Sequence, residues 1–101
     1  MKFVLSSAAE DDLLSIWAYS ADRWDEAQAD CYIDAILVRI AWLTRNAGLW
    51  HQRPELGPGL FSYLQQSHVI LFRQADGCLQ IIRILHVSMD IDRHTTEGRP
   101  E

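Results

Sequence analysis

Lysine is nearly missing from this chain. Lys2 stands alone among nine basic residues, so almost all positive charge sits on planar arginine forks and little on flexible ammonium groups. Nine basic against 14 acidic side chains leave a net charge of −5, which opposes a polyanion unless the arginines gather on one face. Direct sequence-specific binding of nucleic acid is therefore not expected. The two cysteines, Cys31 and Cys78, are too few and too far apart for a disulfide framework, a zinc site or a redox motif, and both are expected to be buried, reduced thiols. No stretch approaches membrane-spanning length, and the apolar run in MKFVLSSAAEDD is too short for a signal peptide and turns acidic at once. A cytoplasmic protein without membrane attachment is expected.

What is present suits one small domain: 101 residues, 49% of them hydrophobic, support one core and not two. The domain is expected over 1–94, with a polar, frayed tail at 95–101. KFVL at 2–5 reads as a short strand that stops at Ser6-Ser7, and Ser7 with Glu10 has the spacing of a helix capping box. Ala9, Leu13, Ile16, Trp17 and Ser20 then recur at helical spacing, to about Asp22. Asp25 can cap a second helix with the stripe Ala29, Ile33, Ile36, Leu37, Ile40, Leu43 and Ala47. The gap around Trp24 is short enough to force an antiparallel helical hairpin.

Proline and glycine are scarce but concentrated, with Gly48, Pro54, Gly57, Pro58 and Gly59 between 48 and 59, where an irregular crossing loop is expected. Three strand-like runs follow, at 60–65, 68–73 and 79–87, separated by Gln66-Ser67 and by a segment holding Asp76-Gly77. The unalternating Val69-Ile70-Leu71-Phe72 marks the central strand. The order β-α-α-β-β-β makes this an α+β fold, a helical hairpin packed on a small, mainly antiparallel sheet.

Arg83 invites two readings. Strand alternation puts it on one face with Ile81 and Leu85. There it either pairs its head with a carboxylate or anchors a partner as an interface hot spot. His86, Asp90, Asp92 and His94 combine metal-ligating and acid-base residue types, but their spacing fits no metal motif, and no metal or other cofactor is expected. Cleavage of RNA would further need cations to stabilise a pentavalent phosphate, and only Arg83 and Arg93 lie close in sequence. Trp17, Trp24 and Trp42 fall on or beside helix stripes and read as core, whereas Trp50 lies in the loop as a possible contact. Phosphate-binding glycine motifs and nucleophile–base pairs of familiar spacing are missing.

SSAAEDDLLSIWAYSADRW, RPELGPGLFSYLQQSHVILFR and LQIIRILHVSMDIDRH, in this order and spacing, resemble the ParE branch of the RelE/ParE toxin–antitoxin superfamily across nearly the whole chain. The resemblance implies a RelE-like fold, a ParD-like antitoxin encoded alongside, and DNA gyrase as the target of a non-catalytic toxin. Arg53, Pro54, Glu55, Leu56, Gly59 and Phe72 match the family pattern as mainly architectural positions, and Asp90 and His94 match it too. Arg73, Arg83, His86 and Arg93 match it as the expected partner-binding surface, with Trp50 added from its loop position.

Two other functions compete. A RelE-like ribosome-dependent messenger RNA endoribonuclease uses lysines and arginines on the sheet and a basic or tyrosine group near the carboxyl end, whereas this chain has no lysine beyond Lys2 and no tyrosine after Tyr63. A non-toxic module that only binds the antitoxin is compatible with the same residues.

Overall fold

Ser6, and not Ser7, starts the first helix. The computed structural model describes residues 1–88. In it the Ser6 hydroxyl oxygen accepts the Ala9 N–H at 2.9 Å and caps α1 (Ser7–Arg23), one residue earlier than the sequence pattern predicts. The shift has a cause in the sheet: the Ser6 hydroxyl donates to the Ile82 carbonyl at 2.8 Å and its N–H to the Ile81 carbonyl at 3.0 Å. Thus the cap is fixed where the chain leaves the first strand. α2 (Glu26–Leu43) is capped as expected by Asp25, whose Oδ1 accepts the Gln28 N–H at 2.7 Å. With only Trp24 and Asp25 between them, the two helices pack as a hairpin.

The sheet has five strands in the order β1-β5-β4-β3-β2: β1 (Lys2–Leu5), β2 (His51–Gln52), β3 (Phe61–Gln65), β4 (His68–Ala75) and β5 (Cys78–His86). β1 runs parallel to β5 at one edge and the other pairs are antiparallel. β2 is unexpected, since it lies inside the loop read as irregular. Trp50 explains it: the indole Nε1 donates to the Leu43 carbonyl at 2.8 Å, and the ring meets Phe61 and Phe72 edge-on, with centroids 5.1 and 5.3 Å away. So seated, Trp50 delivers the next two residues alongside β3. Proline and glycine forbid a long element here but not a two-residue bridge flanked by the single 3-10 turns Ala47–Leu49 and Pro54–Leu56.

The core lies between hairpin and sheet. Ala9 and Ile16 from α1, Ile36, Ile40 and Leu43 from α2, Ile70 and Phe72 from β4, and Leu79, Ile81 and Ile84 from β5 form one buried cluster. Ile70, Leu71 and Phe72 are all fully buried, as the unalternating run predicts. Between Leu71 and Phe72 the ladder slips: Leu71 pairs with Arg83 and Phe72 with Ile81, leaving Ile82 as the extra residue of a bulge. Ile81 and Ile84 consequently share the core cluster, while Arg83 pairs with Leu71, outside it. The expectation that Arg83 and Ile81 share a face fails because a period of two survives only where the ladder is regular.

The cysteine expectation is corrected as well. Both thiols are free, but Cys31 is exposed and Cys78 only half-buried. Cys31 falls two residues past Ala29 and off the buried stripe of α2, which comprises Ala29, Ile36, Ile40 and Leu43. Trp24 is likewise exposed at the turn between the helices and fills no core. Among the described residues no helix is long and apolar enough to cross a membrane. Arg93, Asp90, Asp92, His94 and the expected tail lie outside the described residues.

Candidate partner-binding surfaces

Past the end of β1, β5 loses its parallel neighbour and a side chain takes over. Asp12, one turn into α1, receives Arg83 Nε at 2.8 Å on Oδ2 and Arg83 Nη2 at 2.9 Å on Oδ1, and Oδ2 also accepts the Ile84 N–H at 2.8 Å. Both side chains are largely withdrawn from water, 22% exposed for Arg83 and 14% for Asp12. A bidentate fork in such a setting is among the stronger polar contacts a small domain makes. This is the first of the two readings of Arg83: its head pairs with a carboxylate and ties α1 to β5.

His86, at the end of β5, stands opposite His68 at the start of β4, with ring centroids 5.3 Å apart and planes near perpendicular. The Ser88 N–H donates to His86 Nδ1 at 3.1 Å, which fixes Nδ1 as an acceptor and leaves the neutral ring's proton on Nε2. The Ser88 hydroxyl also lies 2.8 Å from that nitrogen. His68 Nδ1 lies 2.5 Å from the Tyr32 hydroxyl on α2. Burial, helped by the neighbouring His86, pushes the His68 pKa below that of a free imidazole, with Asp12 pulling weakly the other way. Among the described residues no group of three or more His, Cys, Asp and Glu is placed to hold a metal ion.

Arg73 projects from β4 into solvent, its Nε donating to Gln80 of β5 at 2.9 Å. It borders a shallow, mostly apolar hollow of about 440 Å³ lined also by Val4, Leu5, Ser6 and Ile82. A second open groove runs along the helical hairpin, over Leu13, Leu14, Trp17 and Ile33 with Glu10 at its rim, and Leu14 is 68% exposed there. Trp17 Nε1 donates to Asp30 of α2 at 2.8 Å. The expected surface residues are thus dispersed: Arg73 is on the open sheet, Arg83 against α1, His86 beside His68, and Trp50 packed against the core.

In the 48–59 loop Arg53 braces the chain through Glu55, with Nε to Oε2 at 2.5 Å, and through Ser62, with Nη1 to Oγ at 3.3 Å. The hydrogen bond from Arg53 lowers the Glu55 pKa. Sequence reading missed a further basic site. Arg39 on α2 lies over the rings of Trp42 (4.6 Å) and Tyr63 (5.4 Å), and its Nε donates to Gln65 at 3.0 Å. The spacing of Arg39 and Trp42, three apart on one helix, was the available signal.

Residues 3–91 match the family model described as the ParE toxin of the type II toxin–antitoxin system parDE. The chain belongs to the ParE toxin family. It is 31% identical over 94 residues to Toxin ParE1 of Mycobacterium tuberculosis, covering 92% of this chain and 96% of that protein. Among solved structures, the chromosomal ParDE system from P. aeruginosa superposes with a TM-score of 0.74 at 23% identity, over 85% of this chain and 95% of the other. The toxin–antitoxin complex RelBE2 from Mycobacterium tuberculosis superposes at 0.57 and 23%, over 84% and 95%. The ParE assignment and the RelE-like fold therefore both stand: this is a ParE-type toxin of a type II toxin–antitoxin system.

Proposed function

We propose that this ParE-type toxin acts in the cytoplasm by binding, without catalysis, that its target is DNA gyrase, and that a ParD-like antitoxin neutralises it. The observation that carries the non-catalytic reading is the commitment of Arg83. A ribonuclease of this fold needs sheet cations aimed at a phosphate, whereas Arg83 spends Nε and Nη2 on Asp12 inside the fold. The net charge of −5 supports the same reading, since it opposes docking on ribosomal RNA.

Support for the antitoxin comes from two sources. Solved structures of this fold include the ParDE system of P. aeruginosa and the RelBE2 toxin–antitoxin complex of Mycobacterium tuberculosis. The open groove of Leu13, Leu14, Trp17 and Ile33 also has the shape and apolarity that an amphipathic helix requires. Arg73, beside the apolar hollow on the sheet, is the described residue best placed to meet the target, with His86 a separate contact at the far end of the β4–β5 ladder and Arg93 proposed as a further one.

The test is gyrase supercoiling, with trapped cleavage complexes scored, as the protein is titrated in and then neutralised by the product of the adjacent gene, run beside a cell-free translation control. Inhibition of gyrase with translation intact is the expected result. Cleavage of messenger RNA with gyrase untouched would overturn the reading in favour of a ribonuclease, and silence in both assays would leave a module that only binds the antitoxin.

A further inference from the structure

Arg83 and Arg39 are each held from more than one side, and they are finished to different degrees. Arg83 has its carboxylate, Asp12, through Nε and Nη2. Arg39 is held by Trp42 and Tyr63, whose rings lie by its guanidinium, and by Gln65 on Nε, but those three contacts leave the outer end of the fork unused. Nη1 and Nη2 carry four N–H donors, and neither ion pair among the described residues involves Arg39. Among the described residues no carboxylate meets it there.

Holding the stem against α2 and β3 would need only the rings. The rings also shield the cation's faces from water and pre-pay the entropy of ordering a long side chain, which strengthens an end-on contact with an anion. Arg39 therefore has the form of a receptor whose ligand comes from outside the fold.

The neighbouring backbone says what shape that ligand has. β2 covers only Phe61 and Ser62 of β3. Gln65 and His68 flank the two-residue turn at Gln66-Ser67 and form a bonded pair, so alternation along the ladder turns the Leu64 N–H and C=O outward, away from β4. Leu64 is itself 58% exposed, and no strand lies against it on that side among the described residues. Tyr63 and Gln65, on either side of it, are the residues that frame Arg39. An extended segment laid along this edge would find one backbone donor and acceptor at Leu64 and one waiting guanidinium beside it.

We infer that Arg39 receives an aspartate or glutamate carboxylate from an extended segment of the antitoxin that adds to the free edge of β3. The inference rests on the antitoxin reading above. Charge favours a protein carboxylate over a nucleic-acid phosphate, because a single fork on a molecule of net charge −5 does not hold a polyanion.

The experiment measures binding of the adjacent gene's product to wild-type toxin, Arg39→Gln and Arg39→Lys, over a range of salt. Arg39→Gln is expected to raise Kd about tenfold or more, chiefly by faster dissociation, with a shallower salt dependence. Arg39→Lys, which keeps the charge but not the fork, should fall between the two. Melting curves of each free toxin separate a folding defect from a binding defect. Recovery of binding to Arg39→Glu by a lysine or arginine at one acidic position of the antitoxin would locate the partner group. Wild type and Arg39→Gln binding equally well would overturn the inference and leave the antitoxin reading intact, while failure of wild type to bind would sink both. Arg39-dependent binding of a short single-stranded DNA probe would also overturn it.

Discussion

The two flanks of the sheet are held by opposite chemistries. Along β1 and β5 the helices are stitched down by polar side chains: Ser6 caps α1 and holds Ile82, and Asp12 holds both Arg83 and the Ile84 N–H. Along β3 and β4 the fastening is aromatic, with Trp50 edge-on to Phe61 and Phe72, and Trp42 edge-on to Tyr63 under Arg39. The difference follows from where strands end. β1 stops at Leu5 while β5 continues to His86, so unpaired backbone must be answered by hydrogen bonds. On the other flank the helix C-terminus and a wide loop leave volume to be filled, and volume is filled by rings.

Removing a ring should hurt most. Trp50→Ala takes away contacts to two core phenylalanines and the donor that answers the Leu43 carbonyl at the end of α2. A loss of about 3 kcal/mol or more is expected in urea denaturation, from lost burial plus residual cavity. β2 should detach with it, so amide exchange at His51 and Gln52 would accelerate beyond the global change. If exchange there follows global stability alone, Trp50 is not what places β2.

On the polar flank, Asp12→Ala leaves a withdrawn guanidinium and the Ile84 N–H without their acceptor and is expected to cost about 2–3 kcal/mol. Arg83→Met should cost less, because Asp12 retains the Ile84 N–H. Equal losses for the two variants would mean that the backbone bond contributes little and that the flank is held by charge alone. Neither change touches the open groove of the hairpin, so antitoxin affinity corrected for folding should stay put.

These flanks were not equally legible in sequence. The helices were, because Ala9 to Ser20 and Ala29 to Leu43 keep one period throughout, and Asp25 capped where its residue type and place implied. The central strand was legible from Ile70-Leu71-Phe72. What escaped were features created by meeting elements. Ser6 displaces Ser7 because a distant carbonyl needs its hydroxyl, Ile82 bulges and rotates Arg83 away from Ile81, and Trp50 turns a glycine–proline loop into an edge strand. Of the residues expected to bind a partner, Arg73 lies in the strand where sequence reading put it and Arg83 is turned inward by a carboxylate 71 positions away, while Arg39, the candidate inferred from the structure, had been passed over. Long-range pairing carries no local signal, and so the site was less readable than the fold.

His68 lies where the two flanks meet, with Tyr32 from α2, His86 from β5 and the charge of Asp12 from α1 around it. Its folded pKa is depressed by burial first and His86 second, so the unfolded chain binds the proton more readily. The stability this contributes is complete above the free-imidazole pKa near 6.5. It falls as pH drops through that value toward the lower folded one and is flat below. The slope for one proton is at most about 1.4 kcal/mol per pH unit. His68→Asn should remove it in urea midpoints measured between pH 5 and 8. A slope that persists unchanged would assign it to a group other than His68.

The smallest effect contrasts the two hairpin turns. Between β4 and β5, Asp76 and Gly77 both take positive φ, 55° and 70°, which are the residue types a two-residue turn of the mirror-image kind prefers. Between β3 and β4 a positive φ falls on Gln66 alone of the two turn residues, at 54°, where a side chain strains against the backbone. Gln66→Gly relieves that strain but loosens the unfolded chain, and the two terms nearly offset. A net gain of about 0.5 kcal/mol is expected, with Gly77→Ala losing about 1 kcal/mol at the sister turn. The sign is the informative quantity. A loss in Gln66→Gly would mean that the Gln66 side chain itself supports the end of β3 beside Gln65 and Arg39, making that turn part of the partner edge and more than its hinge.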